Sequence, residues 1–395
     1  MLNTTFAPWP SYSEEEAQAV SQVLLSNRVN YWTGSLCRDF EQAFAHWCGT
    51  RYAVSMMNGT VALDAALKAL DIGAGDEVIV TSRTFLASVS SIVNAGAKPV
   101  FADVDLDSQI ITVNTVEPLI NANTKAIVCV HLAGWPCDMP AFMALAAQYN
   151  LRIIEDCAQA HGAKIAGQSV GSFGHLAAWS FCQDKIMTTG GEGGMVTTQD
   201  ETLWSRVWSY KDHGKSWSAV YERAHPPGFR WLHESFGTNW RMTEMQAAIG
   251  LIQLTHMPSW QSMRRRHAQA IFAAARCCAA LRVPNIPEHI EHAFYKCYVF
   301  VKPQALAEGW DRDRIIDEIN QRGVPCYSGS CSEVYLEKAF DNTEFRPRER
   351  LKNAQALAET ALMFLVHPTL TEAQIERTCT VLRQVMQQAQ GSVSL

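Results

Sequence analysis

The chain has 395 residues, a hydrophobic fraction of 48%, a charged fraction of 18% and a formal net charge of −6. This length predicts more than one domain, and the composition is that of a well-packed globular enzyme. The acidic balance excludes a broad basic face for nucleic acid, so a phosphate-bearing ligand needs locally placed donors. No basic segment followed by an apolar run opens the chain, and no stretch reaches the roughly 20 apolar residues of a membrane-spanning helix. The twelve cysteines are scattered and include no CxxC pair. Such spacing predicts reduced, mostly buried thiols in a cytoplasmic protein, without a metal site.

From Arg51 onward, short β-rich runs alternate with helical stretches. The candidate strands are YAVSM (52–56), DEVIV (76–80), PVFADV (99–104), AIVCV (126–130), RIIE (152–155), AAWSF (177–181) and GGMVTT (193–198). Several are continuous apolar runs, as expected of strands covered on both faces. Helix-like stretches such as TVALDAALKAL (60–70) and MPAFMALAAQYN (139–150) lie between them. The alternation predicts an α/β fold with a mainly parallel, seven-stranded sheet. The segment 211–237 has no regular period but is dense in Gly, Pro, His and Trp, which marks a functional loop. A long helical pattern then starts at Glu244, followed by a strand-like FYKCYVFV (294–301), a helix over 311–322 and a terminal helix after Thr371. We therefore expect a large α/β domain over 1–250 and a smaller α+β domain over 251–395.

Three segments carry chemistry, each directly after a candidate strand, where open α/β sheets build their sites. Asn58-Gly59-Thr60 joins a strand to a helix, and free N–H groups at a helix start favour an anion. An ordinary capped turn explains the same residues. In RIIEDCAQAHGA (152–163), Glu155 and Asp156 follow a buried strand, and a carboxylate there needs a partner or a task. Asp156 can hold a protonated heterocyclic nitrogen, as the ring of pyridoxal phosphate (PLP) requires. Gln159 can reach the same ligand, whereas His161 reads better as structural than as a base. In WSFCQDKIMTTGGEGGMV (179–196), Lys185 stands beside apolar neighbours that can lower its pKa and make it nucleophilic. Each segment alone has a bland reading, but together they are the parts of one PLP site. Neither a Walker-type phosphate loop nor a GxGxxG after a strand is present, which leaves ATP and NAD without support.

These strings, together with YWTG (31–34), RTFLAS (83–88), TNWRMTEMQAAIG (238–250), HAFYKCYVF and LVHPTL, resemble the DegT/StrS-type sugar-nucleotide aminotransferases of the aspartate-aminotransferase fold (fold type I). The likeness spans nearly the whole chain and is densest before residue 250. It implies that Lys185 bonds PLP and shuttles the reaction's proton, with Asp156 on the pyridine nitrogen and Gln159 on the ring oxygen. Phe85 matches the residue that stacks on the ring, and Gly59, Thr60 and Ser180 match the phosphate cup. Asn239 matches a residue that reaches the phosphate from a neighbouring subunit, which implies a homodimer with shared active sites. The implied reaction carries an amino group from L-glutamate, through pyridoxamine phosphate, to a nucleotide-linked sugar. The string TTGGEGG resembles the branch acting on 4-keto-6-deoxyhexoses for surface polysaccharides; a 3-keto sugar is the alternative, and a PLP-binding regulator without turnover is another. One glycine of the pair Gly190-Gly191 is additional to the family's usual spacing, which leaves the placement of Glu192 open. The loop with Lys211, His213 and Lys215 is either a diphosphate contact or a solvated polar loop.

Overall fold

The computed structural model describes residues 6–228 and 230–390. All seven expected strands are present: β1 (Tyr52–Met56), β2 (Glu77–Thr81), β3 (Lys98–Ala102), β4 (Thr124–Val130), β5 (Arg152–Asp156), β6 (Leu176–Ser180) and β7 (Gly194–Thr198). They form one sheet in the order β1-β7-β6-β5-β4-β2-β3. β2 to β6 pair in parallel, and β7 runs antiparallel to both β6 and β1. Two reversals restore the direction, so β1 points the same way as β6. The carboxyl ends of β1, β2, β5 and β6 therefore open on one edge.

Burial on both faces explains the continuous apolar runs. In β2, Val78 and Val80 enter one core while Ile79 enters the core on the opposite face. In β4, Ala126, Val128 and Val130 alternate in the same way with Ile127 and Cys129. The expected strand 99–104 stops at Ala102 because Asp103 turns to cap a distant helix, accepting from the N–H groups of Asn353 and Ala354 at 3.0 and 2.9 Å.

Helix α1 (Gly59–Ala69) starts at Asn58, whose side chain accepts from Val61 N at 3.0 Å. Helix α2 (Ala87–Asn94) follows β2, and a long helix α3 (Glu244–Arg276) starts from a Thr243–Gln246 capping box. The C-terminal part holds a four-stranded sheet that includes β8 (Cys297–Val301) and β9 (Ala361–Phe364). Helices Arg312–Gln321 and Glu372–Ala389 and the second half of α3 pack on it around their own apolar core. The expected boundary at 250/251 falls inside α3, which runs from one core into the other. Among the described residues no helix is long and apolar enough to cross a membrane, and all twelve cysteines are free.

Glu155 has a structural task. Fully buried, its carboxylate accepts from the N–H groups of Gly171, Phe173 and Gly174 at 2.8, 2.9 and 2.7 Å. His131 Nε2 lies at 3.0 Å, and its Nδ1 accepts from Cys137 N, so Nε2 carries the proton given to Glu155. Replacing Glu155 by Leu strands three backbone donors, and we expect a loss of about 3–5 kcal/mol in urea unfolding. A loss below about 1 kcal/mol would show that these donors find other partners.

Candidate active site

The shared strand edge opens into a cavity of about 1100 Å³ whose walls include Gly59, Phe85, Asp156, Gln159, Ser180 and Lys185. Thr60 lines it as well. Asp156 ends β5 and Ser180 ends the neighbouring β6. Asp156 is 5% exposed. Its Oδ2 accepts from Ser88 Oγ at 2.7 Å, a residue of the first turns of α2, and its Oδ1 accepts from Ala158 N at 3.1 Å. Among the described residues no cation pairs with it. A buried carboxylate held only by neutral donors keeps room for a cationic N–H from a ligand.

Gln159 is held by one end: its Oε1 accepts from Ala133 N at 2.8 Å, and its amide nitrogen has no partner among the described residues. Gly59 has a steric reason. A Cβ there would stand 2.5 Å from Ser180 Cβ, so only glycine lets the start of α1 meet the end of β6. The first N–H groups of α1 lack helical acceptors by geometry, and Asn58 takes that of Val61. Phe85 is 69% exposed and sits at the mouth.

Lys185 lies in the turn between β6 and β7, with its side chain 15% exposed and its Nζ 3.8 Å from Asp184 Oδ1. Tyr295 donates its hydroxyl to Asp184 Oδ2, and its ring lies 5.2 Å from Lys185 Nζ. Burial pushes the Asp184 carboxyl up, but Lys185, the Tyr295 hydroxyl and Lys296 together hold it below its ordinary value. The added glycine is absorbed by a left-handed turn, with φ of 85° at Gly190 and 113° at Gly191. Glu192 then lines the cavity, while its carbonyl accepts from Thr189 Oγ1 and Gln246 Nε2 at 2.6 and 2.8 Å.

Three other sequence candidates lie elsewhere. His161 is fully buried against Trp179 and Phe181, and burial beside Lys185 and Arg264 pushes it down to about 3. It is a neutral core residue. Lys211 and Lys215 are neither solvated nor aimed at a diphosphate. Lys211 is buried 3.4 Å from Glu41 over the Tyr31 ring, and Lys215 pairs with the buried Asp212 at 2.8 Å. Asp212 also accepts from Arg241 at 2.7 Å, which ties this loop to the segment carrying Asn239. Asn239 itself is exposed and lies outside the walls of its own chain's cavity.

Sequence reasoning missed the far wall, formed by Tyr295, Lys296, Tyr298, Tyr327 and Ser330 of the C-terminal part. Its loop is fixed to the sheet by the buried Arg83, which donates to Gln109 Oε1 at 2.9 Å and to the Ser330 carbonyl at 3.3 Å. The polar pair Tyr-Lys inside FYKCYVFV was the available signal.

Residues 10–383 match the DegT/DnrJ/EryC1/StrS aminotransferase family. The chain is 42% identical over 329 residues to GDP-perosamine synthase of Escherichia coli O157:H7, covering 83% of this chain and 86% of that one. It is 34% identical over 385 residues to UDP-N-acetyl-3-dehydro-alpha-D-glucosamine 3-aminotransferase of Acidithiobacillus ferrooxidans, covering 98% and 96% of the two chains. An aminotransferase structure from Psychrobacter cryohalolentis is 61% identical, with a TM-score of 0.96 and coverage of 97% and 99%. The chain belongs to this family and is a PLP-dependent sugar-nucleotide aminotransferase.

The cavity fits that cofactor: a cradle closed to any Cβ for a phosphate, a buried carboxylate with no cation among the described residues for a ring nitrogen, and a half-buried lysine in the same walls. Gly59→Ala is expected to weaken PLP retention by about tenfold or more in equilibrium dialysis, with secondary structure intact. Unchanged retention would separate this close approach from cofactor binding.

Proposed function

We propose that the protein transfers the amino group of L-glutamate to C4 of a nucleotide-linked 4-keto-6-deoxyhexose. The product is a 4-amino-4,6-dideoxy sugar nucleotide for surface-glycan synthesis, made in the cytoplasm by a homodimer. The observation that carries the reading is the meeting of Lys185 and Asp156 in one cavity, at the ends of neighbouring strands. The C4 assignment draws on the higher identity to the perosamine enzyme, perosamine being a 4-amino-4,6-dideoxyhexose, and on the TTGGEGG turn.

Bound PLP supplies an electron sink conjugated to the reacting carbon. Lys185 would hold it in the resting enzyme and, with its amine free, would be the base that takes the proton from the donor's α-carbon. A lysine freed at that moment is already in place, which saves the entropy of recruiting a second base. Asp156, steadied by Ser88 Oγ and Ala158 N, would hold the protonated ring nitrogen. Gln159, whose amide nitrogen has no partner among the described residues, would donate to the ring oxygen, and Phe85 would stack on the ring. Gly59, Thr60 and Ser180 bind the phosphate, with Asn239 completing the cup of the opposite subunit. The same steps in reverse give the amine to the sugar.

The second reading, amination at C3, is favoured by the relative named a 3-aminotransferase, which matches over 98% of this chain. Incubation with 3-keto and 4-keto sugar nucleotides, followed by NMR of the product, separates the two. We expect nitrogen on C4; nitrogen on C3 alone would establish the second reading. Asp156→Asn is expected to retain PLP but slow α-proton removal by roughly 100-fold or more in stopped-flow absorbance. An unaltered rate would remove Asp156 from its role.

A further inference from the structure

We infer that Lys296 forms a carboxylate-binding subsite for the dicarboxylate amino donor and its keto-acid product. The inference rests on the reading of L-glutamate as donor and adds the residue that selects it. Lys296 immediately precedes β8 and enters the cavity from the C-terminal part. Its Nζ lies 4.7 Å from the Tyr295 ring centroid, and Lys185 Nζ lies 5.2 Å from the same centroid. Both ammonium groups thus lie near one phenol ring, no more than about 10 Å apart, a span on the order of an extended glutamate between its amino end and its far carboxylate.

The cavity's other charges leave this task to Lys296. Among the described residues, Lys185 and Lys296 are the two cationic side chains that line it. Lys185 has Asp184 beside it, and Asp184 also takes the Tyr295 hydroxyl. Lys296 has neither a hydrogen bond nor an ion pair within the described residues. Arg83 is committed to Gln109 and Ser330, and Arg264 is buried behind the wall, donating to the carbonyls of Phe294 and Tyr295. The site must also accept a dicarboxylate and a sugar in turn. An ammonium on a flexible stem suits both, pairing with a carboxylate in one half of the cycle and swinging clear of the sugar in the other.

The groups facing Lys296 are Lys185 and Asp184 from the lysine turn, Tyr295 beside it, Arg264 from α3 and His367 after β9. Burial lowers its ammonium; Asp184 opposes this, Arg264 and Lys185 reinforce it, and the net result is a value of about 8. The cation is therefore present near neutrality and is lost as pH rises through about 8.

The test uses the PLP-loaded enzyme and glutarate, a dicarboxylate that has no amine and cannot react. In calorimetry, Lys296→Met is expected to weaken glutarate binding by about 10- to 100-fold, and Lys296→Arg to retain most of it. In separated half-reactions the KM for L-glutamate rises in parallel, while the KM for the keto sugar stays within about threefold. Glutarate binding to the unaltered protein weakens above the pH at which the ammonium is lost, and this slope disappears in Lys296→Met. Unchanged glutarate and glutamate affinities in Lys296→Met, or a pH-independent affinity in the unaltered protein, would overturn the inference. If the unaltered enzyme converts other amino acids but neither binds glutarate nor reacts with glutamate, the donor reading itself falls, and this inference falls with it.

Discussion

The site depends on a carboxylate that the fold buries with no counter-cation among the described residues. Asp156 ends a central parallel strand, out of water, and among the described residues its side chain is held only by a hydroxyl and a backbone N–H. Such a group is tolerable when a ligand brings the missing positive charge. Its neighbour Glu155 meets the same difficulty in the opposite way. Side chains alternate across a strand, so Glu155 turns to the other face, where three N–H groups and His131 satisfy it. Adjacent carboxylates thus divide into one that holds the loop beneath β6 and one that faces the cavity.

Topology explains why the remaining parts meet. Because β7 reverses between β6 and β1, the glycine turn after β1 arrives beside Ser180 on the same edge as Asp156. Phe85 and Ser88 arrive from the connection after β2, one at the mouth and one beneath Asp156. The sheet edge supplies the groups suited to a cofactor, and the C-terminal part supplies the opposite wall. Arg83 ties the two together by spanning from the end of β2 to the loop at Ser330.

Much of this was legible in the sequence because it is local. Strands buried on both faces declare themselves as apolar runs, and the three chemical segments each follow such a run. What was hidden depends on long-range partners. Lys211 reads as a polar loop residue until Glu41, far away in the chain, comes to meet it in the interior. Tyr295 and Lys296 read as part of a strand, yet the strand begins only at Cys297. The N–H groups of Ala293 and Tyr295 are instead taken by the carbonyls of Gly134 and Ala133, which bends this segment toward the cavity. No periodicity in the 294–301 run announces that contact. The strand ending at Ala102 was hidden for the same reason, since Asp103 leaves the sheet to serve a helix some 250 residues later.

Lys185 is proposed to hold the cofactor beside Asp156, and the functional reading stands on that bond. Its most direct test is borohydride reduction of the PLP-loaded protein, followed by peptide mass mapping. The expected result is loss of the visible absorbance band and a phosphopyridoxyl mass on the peptide containing Lys185 alone. A specific adduct on Lys296 or another lysine, or a visible band that survives without any adduct, would contradict it.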